Sequence, residues 1–126
     1  MHSILAVDDS VTMRQLLAHV LRAAGHEVVE ARDGLQALDQ ARERAFDLVI
    51  TDHHMPGMDG LALTRALRAE AAYRQVPILV LTTESDPALK ADGRAAGATG
   101  WLQKPFDPAR LIEVIEKVAA GAGATP

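Results

Sequence analysis

The sequence predicts a single-domain, doubly wound α/β sandwich, with five parallel strands and helices on both faces of the sheet. Three observations predict it. Short aliphatic runs alternate with segments of helical period along the whole chain. The runs SILAVD (3–8), DLVIT (47–51) and PILVLT (77–82) are continuous rather than polar-alternating, as in strands buried on both faces. The length, 126 residues, suits one domain; such a chain buries roughly two thirds of its unfolded surface and needs no staples.

The elements follow in order. Residues 3–8 form the first strand. Val11, Met13, Leu16, Leu17, Val20 and Leu21 recur at helical spacing over 11–24, with Gly25 as the stop. EVVEA (27–31) is a short strand. Asp33-Gly34 turns the chain, and Leu35, Leu38 and Ala41 mark a second helix. Residues 47–51 are the third strand. Leu63 and Leu67 lie on a third helix over about 60–70. Residues 77–82 are the fourth strand. Asp86-Pro87 reads as an N-cap followed by Pro at the first helical position. TGWLQ (99–103) is the fifth strand. Asp107-Pro108 repeats the cap signal, and Leu111, Ile112, Ile115, Val118 and Ala119 carry the last helix. The domain is expected over 1–121, with 122–126 a frayed tail. Crossovers between parallel strands are expected to be right-handed.

Composition excludes several classes. There are no cysteines, so no disulfide framework, thiolate metal site or thiol nucleophile exists. A net charge of −4 gives no reason to expect nucleic acid. No apolar run approaches the roughly 18 residues of a membrane span. The opening MHSILAVDDS has too short an apolar stretch for a signal peptide, so the expected location is the cytoplasm.

The polar residues fall at strand ends. Asp8 and Asp9 follow the first run, Asp52 the third, Thr82 and Thr83 end the fourth, and Lys104 follows the fifth. In a parallel sheet these C-terminal ends share one edge, where ligands bind beside the reversal of strand order. Three carboxylates crowded together ionise only if a cation compensates. An all-oxygen donor set favours Mg²⁺. Lys104 adds a point charge suited to a phosphoryl oxygen, and Thr82 a hydroxyl donor. The set suits phosphoryl transfer, with Asp52 as the nucleophile that becomes an aspartyl phosphate.

VDDS (7–10), TDHHMPGMDG (51–60), LTT (81–83) and KPF (104–106) resemble the receiver domain of two-component response regulators. The resemblance covers residues 3–119. MRQLL (13–17), LTTES (81–85) and GRAAGATGWLQKPFDP (93–108) are most similar to stand-alone chemotaxis receivers, the CheY type. It implies a flavodoxin-like (βα)5 fold with strand order 2-1-3-4-5. Asp52 then corresponds to the phosphoacceptor and a Mg²⁺ ligand. Asp8 and Asp9 correspond to the acidic pair that holds Mg²⁺, and the backbone carbonyl of His54 to a third protein ligand. Lys104 corresponds to the lysine that bonds the phosphoryl group, with a cis bond to Pro105. Thr82 corresponds to the switch hydroxyl and Trp101 to the switch aromatic, where Tyr or Phe is commoner.

In the implied switch, Thr82 moves toward the phosphoryl group and the ring at 101 turns inward. This reshapes a partner face that includes Lys90, Trp101, Gln103 and Lys117. Trp101 is bulkier than Tyr and brings an indole N–H to satisfy. The expected partners are a CheA-like histidine kinase, a downstream protein such as the flagellar motor switch, and a phosphatase, with the chain itself a monomer. The expected activity is that of a signalling module, not an enzyme beyond self-phosphorylation and autodephosphorylation. A phosphate-sink or relay receiver needs the same acidic site. A haloacid-dehalogenase-like phosphohydrolase needs a second Asp two residues after the nucleophile, where this chain has His54.

The adjacent His53 and His54 suggest a metal site, but neighbours on a loop chelate one ion poorly. His53 is expected to be an exposed rim residue. His54 and Glu84 are expected to face each other over the phosphoryl group and tune its lifetime. The charge of that pair would depend on pH, because histidine is the side chain that ordinarily titrates near neutrality. The competing reading makes His54 a solvated residue with no kinetic role.

Overall fold

A computed structural model describes residues 1–83 and 87–119. The elements are β1 (Ser3–Val7), α1 (Val11–Ala23), β2 (Glu27–Ala31), α2 (Gly34–Glu43), β3 (Leu48–Asp52), α3 (Gly60–Arg68), a 3-10 turn (Ala71–Tyr73), β4 (Ile78–Thr82), α4 (Pro87–Ala96), β5 (Gly100–Gln103) and α5 (Pro108–Ala119). The strands form one parallel sheet in the order β2-β1-β3-β4-β5. Strand order therefore reverses at β1, whose neighbours are β2 and β3. Among the described residues no helix is long and apolar enough to cross a membrane.

Side chains alternate across the sheet and feed different cores. Ile4 and Ala6 pack with Leu48, Ile50, Leu79 and Leu81 against Leu17 and Leu21 of α1 and Leu111 and Ile115 of α5. Leu5 and Val7 point the other way and join Val49, Ile78, Leu63 and Leu67. Every residue of β3 and β4 is buried, in keeping with their continuous apolar runs.

Side chains cap the helices. Ser10 accepts from the Met13 N–H, Asp33 from Gln36 and Asp59 from Ala62. Asp33 is thus the N-cap of α2 rather than part of a free turn. Gly25, at φ 93°, follows the end of α1. Asp107 receives the Ala109 N–H on its carboxylate and the Leu111 N–H on its carbonyl. The expected caps at Asp86 and the expected frayed tail lie outside the described residues.

Two details differ from the sequence reading. Val11, Leu16 and Leu35 are exposed; α2 buries Ala37, Leu38 and Ala41 instead. The third helix stops at Arg68, and a 3-10 turn places Tyr73 in the core.

Candidate functional site

The ends of β1 and β3 bring three carboxylates together at the reversal of strand order. One ligand oxygen from each of Asp8, Asp9 and Asp52 lies within 4.8 Å of the others. Asp8 and Asp52 are buried, at 1% and 6% exposure, and Asp9 is exposed. Lys104, just past β5, reaches across: its Nζ lies 2.8 Å from Asp52 Oδ1 and 3.3 Å from Asp8 Oδ2. The Lys104 N–H donates to the Thr82 carbonyl at 2.7 Å, and the Lys104–Pro105 bond is cis.

Asp8 is held at four points. Its N–H donates to the Ala31 carbonyl, and its Oδ1 accepts from the Ser10 N–H at 2.9 Å. Its Oδ2 faces Lys104, and its carbonyl accepts from Arg14 Nη1 at 2.9 Å. Arg14 in turn pairs with Glu30 of β2. Nothing in the motifs marked Arg14 as a contact of the site. The contact depends on how α1 lies over β2, which spacing along one chain does not reveal.

Burial pushes the Asp8 carboxyl above the usual carboxylate range. The Ser10 N–H opposes that, and the Asp52 charge adds to it. Burial alone would lower the Lys104 ammonium. Its bond to Asp52 and the charges of both aspartates more than offset this and hold it above the usual lysine range. The site is therefore two buried carboxylates and an exposed one, with a single ammonium bonded to the buried pair. The negative charge exceeds the positive, and the donors are hard oxygens. That combination suits a small divalent cation such as Mg²⁺.

Thr82 ends β4 and is 2% exposed. Trp101 on β5 is half-buried, and its register partner on β4 is Val80. The indole rests against α4: a Cβ on Gly93 would stand 2.0 Å from its Cζ2. Lys90, Gln103 and Lys117 are exposed. Glu84, expected opposite His54, lies outside the described residues.

His53 corrects the sequence reading. It is not an exposed rim residue but is buried, at 7% exposure. Its N–H donates to the Leu81 carbonyl and its carbonyl accepts from Gly60, both at 2.9 Å. The first bond extends the β3–β4 pairing by one residue, and the second ties this backbone to the first residue of α3. The ring meets Trp101 edge-on at 6.1 Å between centroids, and His54, which is exposed, at 4.4 Å. A polar ring after an acidic residue gave no sign of this burial, because the covering comes from α3 and β5.

Comparison with known proteins agrees with this architecture. A profile for the response regulator receiver domain matches residues 4–116. The chemotaxis protein CheY of Pseudomonas aeruginosa is 40% identical over 116 residues, covering 91% of this chain and 94% of that protein. The solved structure of Vibrio cholerae chemotaxis protein CheY4 has a TM-score of 0.91 at 47% identity, covering 94% of this chain and 98% of that one. The receiver domain of the Pseudomonas aeruginosa sensor histidine kinase PA1611, solved with a magnesium ion in its active site cleft, has a TM-score of 0.88. It is 30% identical and covers 95% of this chain and 98% of its own.

Proposed function

The chain belongs to the response regulator receiver family, and on that premise we propose that Asp52 is the residue it phosphorylates. The observation that carries this is the Lys104 ammonium bonded to the buried Asp52 carboxylate inside an acidic cluster. One Asp52 oxygen would attack phosphorus as the phosphohistidine N–P bond breaks, and the departing imidazole keeps the electron pair. Lys104 would then transfer its bond to a phosphoryl oxygen, and Thr82 would donate its hydroxyl to another.

Receiver domains bind Mg²⁺ at this acidic pocket, and the donor set here fits it. Asp8, Asp9, Asp52 and the His54 carbonyl are the ligands we propose. When bound, Mg²⁺ supplies the positive charge that offsets the transferring phosphoryl oxygens. The chain's own part is to hold Asp8 by Ser10 and Arg14 and to hold Asp52 by Lys104.

The output we propose is a change in partner binding through the face that carries Lys90, Trp101, Gln103 and Lys117. The named relatives are chemotaxis proteins, which supports a CheA-like kinase as donor and a motor component as target, with a phosphatase as the third partner. A monomeric, cytoplasmic signalling module over 1–121, with no activity beyond taking and losing its phosphoryl group, agrees with that role. His54 and Glu84 would govern how long the group persists.

Radiolabelled acetyl phosphate with Mg²⁺ tests the assignment. Label is expected on wild type, none on Asp52→Asn, and an altered decay rate in His54→Asn. Equal labelling of Asp52→Asn would remove Asp52 from the role. Binding of the phosphorylated form to a motor switch peptide separates a chemotaxis output from a phosphate sink.

A further inference from the structure

Two features around Trp101 have no part in the phosphoryl chemistry. The first is His53, whose Nδ1 is buried and has no hydrogen-bond partner. Buried polar atoms are nearly always paired, so an orphan calls for a reason. Both backbone groups of His53 are engaged, so its ring is the part left to respond. In the tautomer protonated at Nε2, Nδ1 is an acceptor. The second is Gly93 in α4, the absent side chain on which the indole rests. Glycine inside a helix is unfavourable relative to alanine. Here it is the one residue type that leaves the indole its seat.

Trp101 stands between these two features. Its indole touches α4 at Gly93, and its ring meets His53 edge-on at 6.1 Å. An indole carries one N–H donor and no acceptor, the complement of an unfilled imidazole nitrogen. We propose that His53 is a positioning residue for Trp101: its Nδ1 accepts the indole N–H in a second rotamer, in which the ring has left Gly93. This rests on the receiver reading in one respect, that phosphorylation at Asp52 is what favours the second rotamer. The histidine next to Asp52 would then carry the state of the site to the ring by a direct bond. Glycine at 93 would hold the ring away from that bond in the resting state.

The chain has one tryptophan, so a ¹⁵N-labelled sample gives one indole N–H signal. Gly93→Ala closes the seat without harming the helix, and the ring must move. A through-hydrogen-bond coupling between Trp101 Nε1 and His53 Nδ1 is expected in Gly93→Ala, absent in resting wild type, and lost when His53→Leu is added. A freely exchanging indole N–H without that coupling in Gly93→Ala overturns the proposal. Wild type with Mg²⁺ and beryllofluoride, a phosphoryl mimic, gives the second reading, with ¹⁹F signals reporting occupancy of the site. Bound fluoride with the coupling supports the pairing. Bound fluoride without it overturns the pairing and leaves the receiver reading intact. No bound fluoride overturns the receiver reading and the proposal with it. His53→Leu is expected to weaken beryllofluoride binding about threefold to tenfold, the worth of one hydrogen bond. His53→Gln, which keeps an acceptor, is expected to restore most of it. Equal binding by His53→Leu and wild type would also overturn the pairing.

Discussion

Tyr73 is the one tyrosine in the chain, and its hydroxyl lies 2.8 Å from the Ala41 carbonyl and 2.9 Å from that of Arg44. Its single proton serves the carbonyls at the end of α2, and the hydroxyl oxygen accepts from the Phe46 N–H. Burial raises its pKa above the usual 10.0, against the opposing Phe46 N–H. A raised pKa contributes stability that is complete below the unfolded value and lost as pH rises through the folded one. Lys104 is raised too, so its contribution fades in the same alkaline direction. Melting temperature should therefore fall above about pH 10, and phenolate absorbance should appear only as the protein unfolds. Tyrosine ionising near its ordinary pKa in still-folded protein would contradict this. Tyr73→Phe should cost about 1–2 kcal/mol at pH 7, from carbonyls left without their donor, and should flatten the alkaline fall. At this scale the sequence was least informative. Tyr73 lies in a three-residue 3-10 turn and His53 just past the end of β3, and their burial is decided by elements distant in the chain.

Elements were legible in proportion to how little they depend on neighbours. β3 and β4 announce themselves because a strand covered on both faces is apolar without alternation, as LVI of β3 and ILVL of β4 are before their polar ends. The faces of α1 and α2 were harder. Leu16 and Leu35 fit helical spacing, yet they point outward, because the sheet accepts only a narrow stripe of each helix. The end of α3 was not legible at all, since the residue that organises it is charged. Arg68 is half-buried, and its guanidinium donates to the carbonyls of Tyr73 and Val76 at 2.6 Å, and to that of Gly97 at 2.9 Å. It also reaches Thr99 Oγ1 at 3.3 Å. Burial lowers its pKa, but the guanidinium stays charged. This one side chain ties α3 to the approach of β4 and to the link between α4 and β5. Arg68→Met keeps the aliphatic stem and removes the donors. The expected cost is about 2–4 kcal/mol, from carbonyls left unanswered. Urea denaturation with an unchanged m-value measures it, and a loss below about 0.5 kcal/mol would show that water replaces the arginine at no cost.

At the scale of the whole molecule, the site was readable because topology does the gathering. Asp8, Asp52, Thr82 and Lys104 are far apart in sequence, and a parallel sheet leaves their strand ends no choice but one edge. The same convergence burdens the fold. Asp8 is 1% exposed and its carboxyl is raised above its ordinary range by burial and, more weakly, by Asp52. At neutral pH its charge therefore works against folding, with Lys104 already shared with Asp52. Asp8→Asn keeps an oxygen for the Ser10 N–H and removes the charge. In EDTA this variant should be more stable than wild type by about 1–2 kcal/mol, or roughly 4–8 °C in melting temperature. Adding Mg²⁺ should reverse the order. A cation that binds only the folded chain stabilises it by RT ln(1 + [Mg²⁺]/Kd), about 1.4 kcal/mol at ten times Kd. Wild type should follow that curve, and Asp8→Asn should stay nearly flat because it lacks a ligand. The two melting curves should therefore cross as Mg²⁺ rises. A variant less stable than wild type even in EDTA would mean that Lys104 and Ser10 already compensate the buried charge. The acidic edge would then be a stabilising feature of the empty fold and not a strain that the cation relieves.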